Sequence, residues 1–253
     1  MKWAFVLVTA YTGPFGAFFY VLGCREPLPG LHERYVAARW RQVLGSTMHC
    51  VAGDGVGILA GAVIGSVLHL SEPVHIALEY VLGFGFGWSI FQALFMRDMA
   101  GGSYSRALRQ TFVSEFLSMN TLMGGMVPVM LILMTHVPGS ESPRGANFWF
   151  VMSIALFSGA LLAYPMNWWL VAHHLKHGMT TVRKKRAAET MAMPMPAAAA
   201  EPAMDHQSMK HEMAMPNAAG ARPSAGTIAV MAVLSIAIFG AGIAIAVIAS
   251  GHR

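Results

Sequence analysis

The chain has 253 residues, of which 55% are hydrophobic and 11% are charged, and its formal net charge is +5. Because soluble domains carry about 25% charged residues, this composition excludes an ordinary soluble protein. The positive charge does not indicate a nucleic-acid partner, since the basic residues flank apolar segments, where they act as membrane anchors. We expect a protein that is surrounded by the lipid bilayer and binds no nucleic acid.

The first apolar segment covers residues 3–22, just before Cys24. A helix needs about 20 residues to cross the hydrocarbon core, so this segment is long enough to span it. The stretch before Cys24 loosely resembles a lipoprotein signal, but Pro14 interrupts the apolar run and Arg25 follows the cysteine directly. We therefore predict an uncleaved first transmembrane helix.

The second and third apolar segments, residues 45–70 and 74–96, contain polar side chains at membrane depth. These are His49, Cys50, Asp54 and Glu79. Charged groups inside a membrane are costly and usually serve a function or find a partner. We predict that Asp54 and Glu79 bind a cation or relay a proton. The alternative for all four is a buried polar group that hydrogen-bonds to a neighbouring helix.

Both of these segments also carry closely spaced glycines. In the second segment they recur every fourth residue and form a face that another helix can approach closely. In the third segment they alternate, which permits close contact or loosens the helix. The six positions are Gly57, Gly61, Gly65, Gly83, Gly85 and Gly87.

The fourth apolar segment, residues 111–137, carries five methionines separated by 4, 3, 4 and 4 residues. At about 100° per residue they fall within a narrow arc of a helix, and Glu115 belongs to the same stripe. The five are Met119, Met123, Met126, Met130 and Met134. A methionine track with a carboxylate at its inner end is suited to conducting a soft cation. The alternative is helix packing, in which methionine fills irregular gaps.

The fifth apolar segment, residues 148–172, contains Asn167, whose amide needs a hydrogen-bond partner at this depth. His173 and His177 follow it, four residues apart, which suits two metal ligands on one helical face. Because no third ligand is evident, we regard them as a weak metal site. Anchoring at the membrane interface is the alternative.

A linker rich in Ala, Pro, Met and His separates the fifth segment from a sixth, residues 226–250. The linker lacks apolar periodicity, which predicts a largely disordered segment. Thioether and imidazole ligands suit copper, and the stretch looks like the Met/His repeats of bacterial copper-resistance proteins. Its candidate ligands are Met204, His206, Met209, His211 and Met213. The alternative is a compositionally biased linker that binds no metal.

The lysines and arginines predict the orientation. Fourteen of the 17 lie in the stretches 25–41, 97–109 and 176–222, and the other three are Lys2, Arg144 and Arg253. Cytoplasmic loops carry the excess of these residues, so we predict the three stretches to be cytoplasmic and both termini extracytoplasmic. This places the copper-like linker inside the cell, where such repeats are least expected.

The predicted fold class is all-α, a polytopic transmembrane helical bundle with about six spans. Residues 1–180 would form a five-span membrane core and residues 181–225 a flexible cytoplasmic linker. Residues 226–253 would form the sixth helix and a short tail. These boundaries follow the apolar runs and the change in composition after the fifth segment.

Five motifs in the apolar segments are YTGPFG at 11–16, LGSTMHCVAGDGVGI at 44–58, EYVLGFGFGW at 79–88, FLSMNTLMGGM at 116–126 and YPMNWW at 164–169. They resemble a bacterial membrane protein family catalogued as domain of unknown function 4396, over about residues 1–180. The resemblance implies that HCVAGDG and the Glu79 region belong to a common core. We expect a multi-pass protein of the bacterial inner membrane, whose linker and sixth helix lie outside the matched region.

The sequence contains no phosphate-binding loop, GxSxG motif or HExxH motif, so we expect no enzyme. The leading hypothesis is a membrane protein that binds or transports a metal ion. Copper is the first candidate for this ion, because two methionine arrays occur in one chain. Copper is the only ligand or cofactor we expect. The alternative is a non-catalytic accessory or assembly subunit, packed against a membrane-protein partner or as a homo-oligomer. A weaker alternative is a proton- or cation-coupled transporter that uses Asp54 and Glu79.

Overall fold

The computed structural model describes residues 2–24, 35, 37–94, 96–97, 102–178 and 223–250. Every regular element in these ranges is helical. The helices are α1 Lys2–Thr12, α2 Pro14–Cys24, α3 Arg39–Val67, α4 Glu72–Phe86, α5 Tyr104–His136, α6 Ala146–Ala172 and α7 Ala225–Ser250. A π-helix, Gly87–Leu94, continues α4 directly.

Five of these helices are long and apolar enough to cross a membrane: α3, α4 with the π-helix, α5, α6 and α7. The shortest of the five has 23 residues, more than the roughly 20 that the hydrocarbon core requires. The predicted all-helical class is therefore confirmed, with five candidate spans in the described part of the chain. The sixth predicted span and the orientation of the termini are not confirmed.

A helical hairpin replaces the single span predicted for residues 3–22. The first helix ends at Thr12, and the next residue, Gly13, has a φ of +61°. Pro14 begins the second helix, where its missing N–H is tolerated. The rings of Phe5 and Tyr20 lie 5.3 Å apart, whereas a continuous helix would separate these residues by about 22 Å. Each helix of 11 residues is about 16 Å long, which is too short to cross alone.

The tip of the hairpin reaches the middle of the bundle. The Tyr11 hydroxyl donates to the carbonyl of Val51 at 2.7 Å, and the Ser153 hydroxyl donates to the Tyr11 carbonyl. At its base, a β-carbon on Gly23 would lie 3.2 Å from Leu44, near the start of α3. The hairpin therefore runs along α3 from its N-terminal end and turns back at the depth of Val51.

The glycine face predicted on the second segment holds α3 against α4. A β-carbon on Gly61 would lie 2.8 Å from the α-carbon of Glu79, and one on Gly57 would overlap the carbonyl of Leu82. Larger residues at these positions would push the two helices apart. The close approach brings Glu79 and the following π-helix into the interior of the bundle.

Helix α5 occupies the centre of the described bundle and packs against α6, α7 and the π-helix. Helix α7 starts within one residue of its predicted boundary and is tied to α5 by the Asn120 amide, which donates to the Ser235 hydroxyl at 3.2 Å. The linker that precedes α7 lies outside the described residues. The predictions about its disorder and its candidate ligands therefore stay predictions.

Candidate functional site

Seven polar side chains, from four helical elements and one turn, meet inside the bundle, and we call them the polar cluster. Helix α3 contributes a thiol and a carboxylate, α5 a carboxylate and a hydroxyl, and the π-helix and α6 one amide each. The seventh side chain, a lysine, comes from the turn after α6. Each is at most 6% exposed. They are Cys50, Asp54, Gln92, Glu115, Ser118, Asn167 and Lys176.

The thiol of Cys50 lies at the centre of the cluster. Its Sγ is 3.3 Å from Glu115 Oε2 and 3.6 Å from Asp54 Oδ2. Cys50 and Asp54 are four residues apart on α3, so one helical turn brings them to the same face, as predicted. One ligand atom from each of the three residues lies within 4.8 Å of the other two, which is compatible with a shared metal ion.

Lys176 supplies the positive charge of the cluster. Its Nζ lies 3.0 Å from Cys50 Sγ and 3.9 Å from Glu115 Oε2, and it donates to Asn167 Oδ1 at 2.8 Å. Each of these neighbours accepts a hydrogen bond or carries negative charge, which stabilises the ammonium form of the side chain.

The chain reversal after α6 explains how a lysine beyond the helix reaches this depth. The helix ends at Ala172, and His174 adopts a left-handed φ of +57°. The backbone N–H of Lys176 then bonds to the carbonyl of Leu170 at 3.2 Å, which turns the chain back along α6.

The π-helix shapes the opposite wall of the cluster. Gln92 donates to Glu115 Oε2 at 2.9 Å. A β-carbon on Gly87 would overlap Asp54 Oδ1 and lie 2.6 Å from Glu115 Oε1, so only glycine leaves space for both oxygens. Single π turns inside helices often occur at functional sites.

Two carboxylate oxygens face each other beside Gly87. Asp54 Oδ1 and Glu115 Oε1 are both buried and have no hydrogen-bond donor among the described residues. A buried polar atom without a partner costs about 1–3 kcal/mol, and more when it is charged. A shared proton or a cation between these oxygens would remove that cost.

Glu79 lies apart from the polar cluster. Its side chain is 0% exposed, and its Oε1 is 3.6 Å from Nε2 of His75, one turn earlier on α4. No hydrogen bond or ion pair joins Glu79 to Asp54 in the part of the chain that the structure describes. The carboxylate next to Asp54 is instead Glu115, which begins the methionine stripe of α5.

The methionine stripe connects the polar cluster with a large cavity. Met119, Met123 and Met126 are 0% exposed and Met130 is 3% exposed, within the main apolar core. Met130 and Met134 also line a cavity of about 990 Å³ at the end of the bundle that carries loops 68–71 and 137–145. Packing between helices predicts such burial. The stripe also extends along α5 from the polar cluster to the cavity.

The three remaining histidine candidates lie outside the cluster. His49 is buried, with its Nε2 3.1 Å from the carbonyl of Phe91. The shared helical face proposed for His173 and His177 is wrong, because α6 ends at Ala172 before either residue. The Nδ1 of His173 hydrogen-bonds with the carbonyl of Trp169 at 2.9 Å.

Sequence reasoning missed three members of the cluster. Gln92 is an isolated amide in an apolar run, the same signal that singled out Asn167, and could have been found by it. Ser118 has no such signal, because serine can bond to its own helix backbone. Lys176 was counted among the cytoplasmic charges, and only the reversal at His174 brings it inside.

The sequence profile of a family described as Domain of unknown function (DUF4396) matches residues 39–176. The matched segment contains the whole polar cluster, from Cys50 to Lys176, as well as Glu79 and the methionine stripe. It leaves out the hairpin, the linker and α7. No curated protein and no solved structure gave a significant match to the chain.

Proposed function

The chain belongs to the family described as Domain of unknown function (DUF4396), and from this premise we propose that it is a membrane protein that binds or transports a metal ion. Copper is the leading candidate for this ion. One observation carries the proposal: the thiol of Cys50 and the carboxylates of Asp54 and Glu115 converge within 4.8 Å inside a helical bundle. Such groups are costly at this depth and usually mark an ion pathway.

The donor set favours a soft or borderline metal ion. Thiolate selects Cu(I) and Zn²⁺, and carboxylates extend the range to harder divalent ions. Met119 follows Glu115 by one turn on the same face of α5, so its thioether is the next potential ligand along that helix. Copper is the metal that binds both thiolate and thioether ligands most readily.

Formal charge supports a cation at this site. A metal ion would displace the thiol proton of Cys50. The resulting thiolate and the two carboxylates would then carry more negative charge than the single ammonium of Lys176 balances, and uncompensated buried charge is strongly unfavourable. We propose that a metal ion takes the position of the Lys176 ammonium next to Cys50. The Lys176 side chain would then move away from Cys50 towards the turn after α6. Metal binding would therefore be coupled to the movement of one positive charge.

We place the protein in a bacterial inner membrane with its basic loops in the cytoplasm, as their charge favours. The polar cluster then lies nearer the cytoplasmic face, because Cys50 follows the start of α3 by 11 residues, or about 16 Å. With five spans and a hairpin that does not cross, the N-terminus would be cytoplasmic and the C-terminus extracytoplasmic.

Metal analysis of the purified protein tests the proposal. We expect about one equivalent of copper in the wild-type protein, and its loss in Cys50→Ser and Asp54→Asn. Cys24→Ser, which changes the only other cysteine, and Glu72→Gln, an exposed carboxylate, serve as matched controls that keep the metal. Copper at background in the wild-type protein would refute a copper site.

Deletion of residues 187–224 separates the cluster from the linker. If the helices hold the metal, the deletion variant keeps its copper and loses it only when Cys50 is also replaced. Loss of copper on deletion alone would move the site to the Met/His linker.

A second candidate function is proton-coupled transport, favoured by the facing oxygens of Asp54 and Glu115. A single proton shared between them would serve as a relay within the membrane. Proteoliposomes loaded with a pH-sensitive dye should then acidify under an imposed gradient, and Asp54→Asn should abolish this. Equal acidification by the variant would exclude the relay.

A further inference from the structure

A cavity of about 990 Å³ opens at the end of the bundle opposite the polar cluster. The turn 68–71, the loop 137–145 and the neighbouring ends of α3, α4 and α5 line it. Besides His75 of α4, its walls carry the ionisable side chains His69, Glu72, Glu141 and Arg144. Two carboxylates and one guanidinium give the cavity an excess of negative charge, which attracts protons and other cations.

The imidazole of His75 lies between α3 and this cavity. Its Nε2 is 3.1 Å from the carbonyl of Ala62, and because a carbonyl oxygen only accepts hydrogen bonds, Nε2 carries a proton. A β-carbon on Gly65 would overlap Nε2 and Cδ2 of the ring, so this edge faces α3. Nδ1 is the ring atom opposite that edge. Since the side chain is 20% exposed and lines the cavity, Nδ1 is the atom that accepts a proton from water there.

Glu79 follows His75 by one turn of α4 and is 0% exposed. Its Oε1 is 3.6 Å from Nε2 of His75. Neither of its carboxylate oxygens receives a hydrogen bond from a described residue, although both are buried. An ionised carboxylate without a donor is costly inside an apolar bundle, and a proton removes its charge. The Nε2 proton of His75 is therefore placed next to a carboxylate that needs one.

We propose that His75 and Glu79 are a proton-binding pair, which exchanges its proton with water in the cavity. A proton from this water binds to Nδ1 and produces an imidazolium ion. Rotation of the carboxylate shortens the gap of 3.6 Å to a hydrogen bond, and Nε2 passes its proton to Glu79 Oε1. The ring is then a neutral imidazole with its proton on Nδ1, and Glu79 is a neutral carboxylic acid. Release of the proton follows the same steps in reverse.

The charged groups that face the pair are those in the cavity walls. Helices α3, α5 and α7 and the π-helix contact α4. Residues 55–67 of α3, residues 119–135 of α5, the π-helix and α7 contain no titratable side chain. Tyr80, the neighbour of Glu79 on α4, donates its hydroxyl to Asn120 at 2.8 Å. The protonation of the pair is therefore governed by the pH of the cavity and by its wall charges.

Apolar side chains separate the pair from the polar cluster. Gly83 lies one turn beyond Glu79 and one turn before Gly87, which touches the cluster. A β-carbon on Gly83 would lie 2.7 Å from both Ile58 Cγ1 and Met119 Cε. Proton exchange at the pair therefore proceeds through the cavity, on the side opposite the basic loops. This inference goes beyond the proposed function, since it requires neither a metal ion nor a shared proton in the polar cluster.

Infrared spectroscopy of the full-length protein in lipid membranes tests the proposal. A carboxylic acid without hydrogen bonds has its C=O stretch at a higher frequency than an exposed one. We expect this signal to appear when the bathing solution is acidified and to shift in D₂O. Glu79→Gln should lose the signal. Glu79→Asp keeps a carboxyl group and should shift it, which identifies the signal even if Glu79→Gln does not fold.

His75→Gln tests the path through the imidazole ring. Glutamine keeps an N–H for the Ala62 carbonyl but cannot pass on a proton, so deuterium exchange of the Glu79 signal should slow roughly 100-fold. Two variants in the same cavity are the controls and should exchange as the wild-type protein does. Glu72→Gln removes a lining carboxylate, and His69→Asn removes a lining imidazole at a φ of +50°, which asparagine tolerates.

The proposal is overturned if the wild-type protein lacks the signal at every pH, if both Glu79 variants keep it unchanged, or if His75→Gln exchanges at the wild-type rate. Asp54→Asn should keep the signal. Its loss in Asp54→Asn instead of Glu79→Gln would assign the proton to the polar cluster and support the second candidate function. The copper content of Glu79→Gln should equal that of the wild-type protein. Copper at background in both, with the infrared results as expected, would refute the metal site and leave the pair standing.

Discussion

Lys176 is the residue on which the charge balance of the polar cluster depends. Its ammonium contacts the thiol of Cys50 and the amide of Asn167 and lies within ion-pair distance of Glu115. The sequence singled out Cys50, Asn167 and Glu115 one by one, because polar side chains in apolar segments are conspicuous. Their convergence with a lysine depends on helix packing and on a chain reversal, which no local pattern encodes.

Lys176→Met should destabilise the protein by about 3–5 kcal/mol, because it leaves buried carboxylates without their cation. The double variant Lys176→Met/Glu115→Gln removes both charges and should recover most of that loss. Thermal unfolding in detergent measures both effects. If the proposed metal site is correct, added Cu⁺ should stabilise the single variant more than the wild-type protein. A double variant no more stable than the single one would show that Lys176 does not compensate Glu115.

At the scale of the elements, the π-helix determines whether the cluster can form. Its first residue, Gly87, leaves space for two carboxylate oxygens, and Gln92 reaches Glu115 from the same segment. The run GFGFGW predicted close contacts or a loosened helix, and both occur here. The sequence could not say which glycine is needed, since Gly85, two residues earlier, faces open space.

Gly87→Ala should displace the Asp54 carboxylate and abolish metal binding at the polar cluster. Overpacking of this kind costs about 1–3 kcal/mol, which a shift of the unfolding midpoint would reveal. Gly85→Ala is the matched control, because no atom lies within 4 Å of its added β-carbon. Alanine should stabilise the helix there by about 0.5–1 kcal/mol. Equal metal binding by both variants would contradict the role given to Gly87.

At the scale of the whole molecule, apolar length predicted five of the spans well, and the segment 3–22 was the exception. A window of apolar residues measures length, and it does not register that Gly13 and Pro14 reverse the chain. A hairpin returns to its starting side, so Lys2 would join the basic side and the termini would lie on opposite sides.

Reporter fusions should distinguish this topology from six spans. We expect green fluorescent protein at the N-terminus to fluoresce in the cytoplasm, and alkaline phosphatase at the C-terminus to be active outside it. A phosphatase inserted in loop 137–145 serves as the positive control for the outer side. If both reporters indicate the same side of the membrane, the segment 3–22 crosses the membrane as a sixth span.

The accessory-subunit hypothesis also belongs to this scale and stays a prediction. Helix α7 packs on α5 and exposes large apolar side chains, such as Val230 at 66% and Val233 at 68%, which face lipid or another protein. Purification in a gentle detergent should yield a stoichiometric partner if α7 is an interface. A lone monomer would favour lipid.

The hairpin has a further consequence for the surrounding membrane. In a bilayer, its helices of about 16 Å would cross roughly half of the hydrocarbon thickness and end where Tyr11 meets Val51. Acyl chains of the opposite leaflet would then fill the space beyond that tip. The protein would be asymmetric between leaflets, and its stability should depend on acyl-chain length more strongly in one leaflet than in the other.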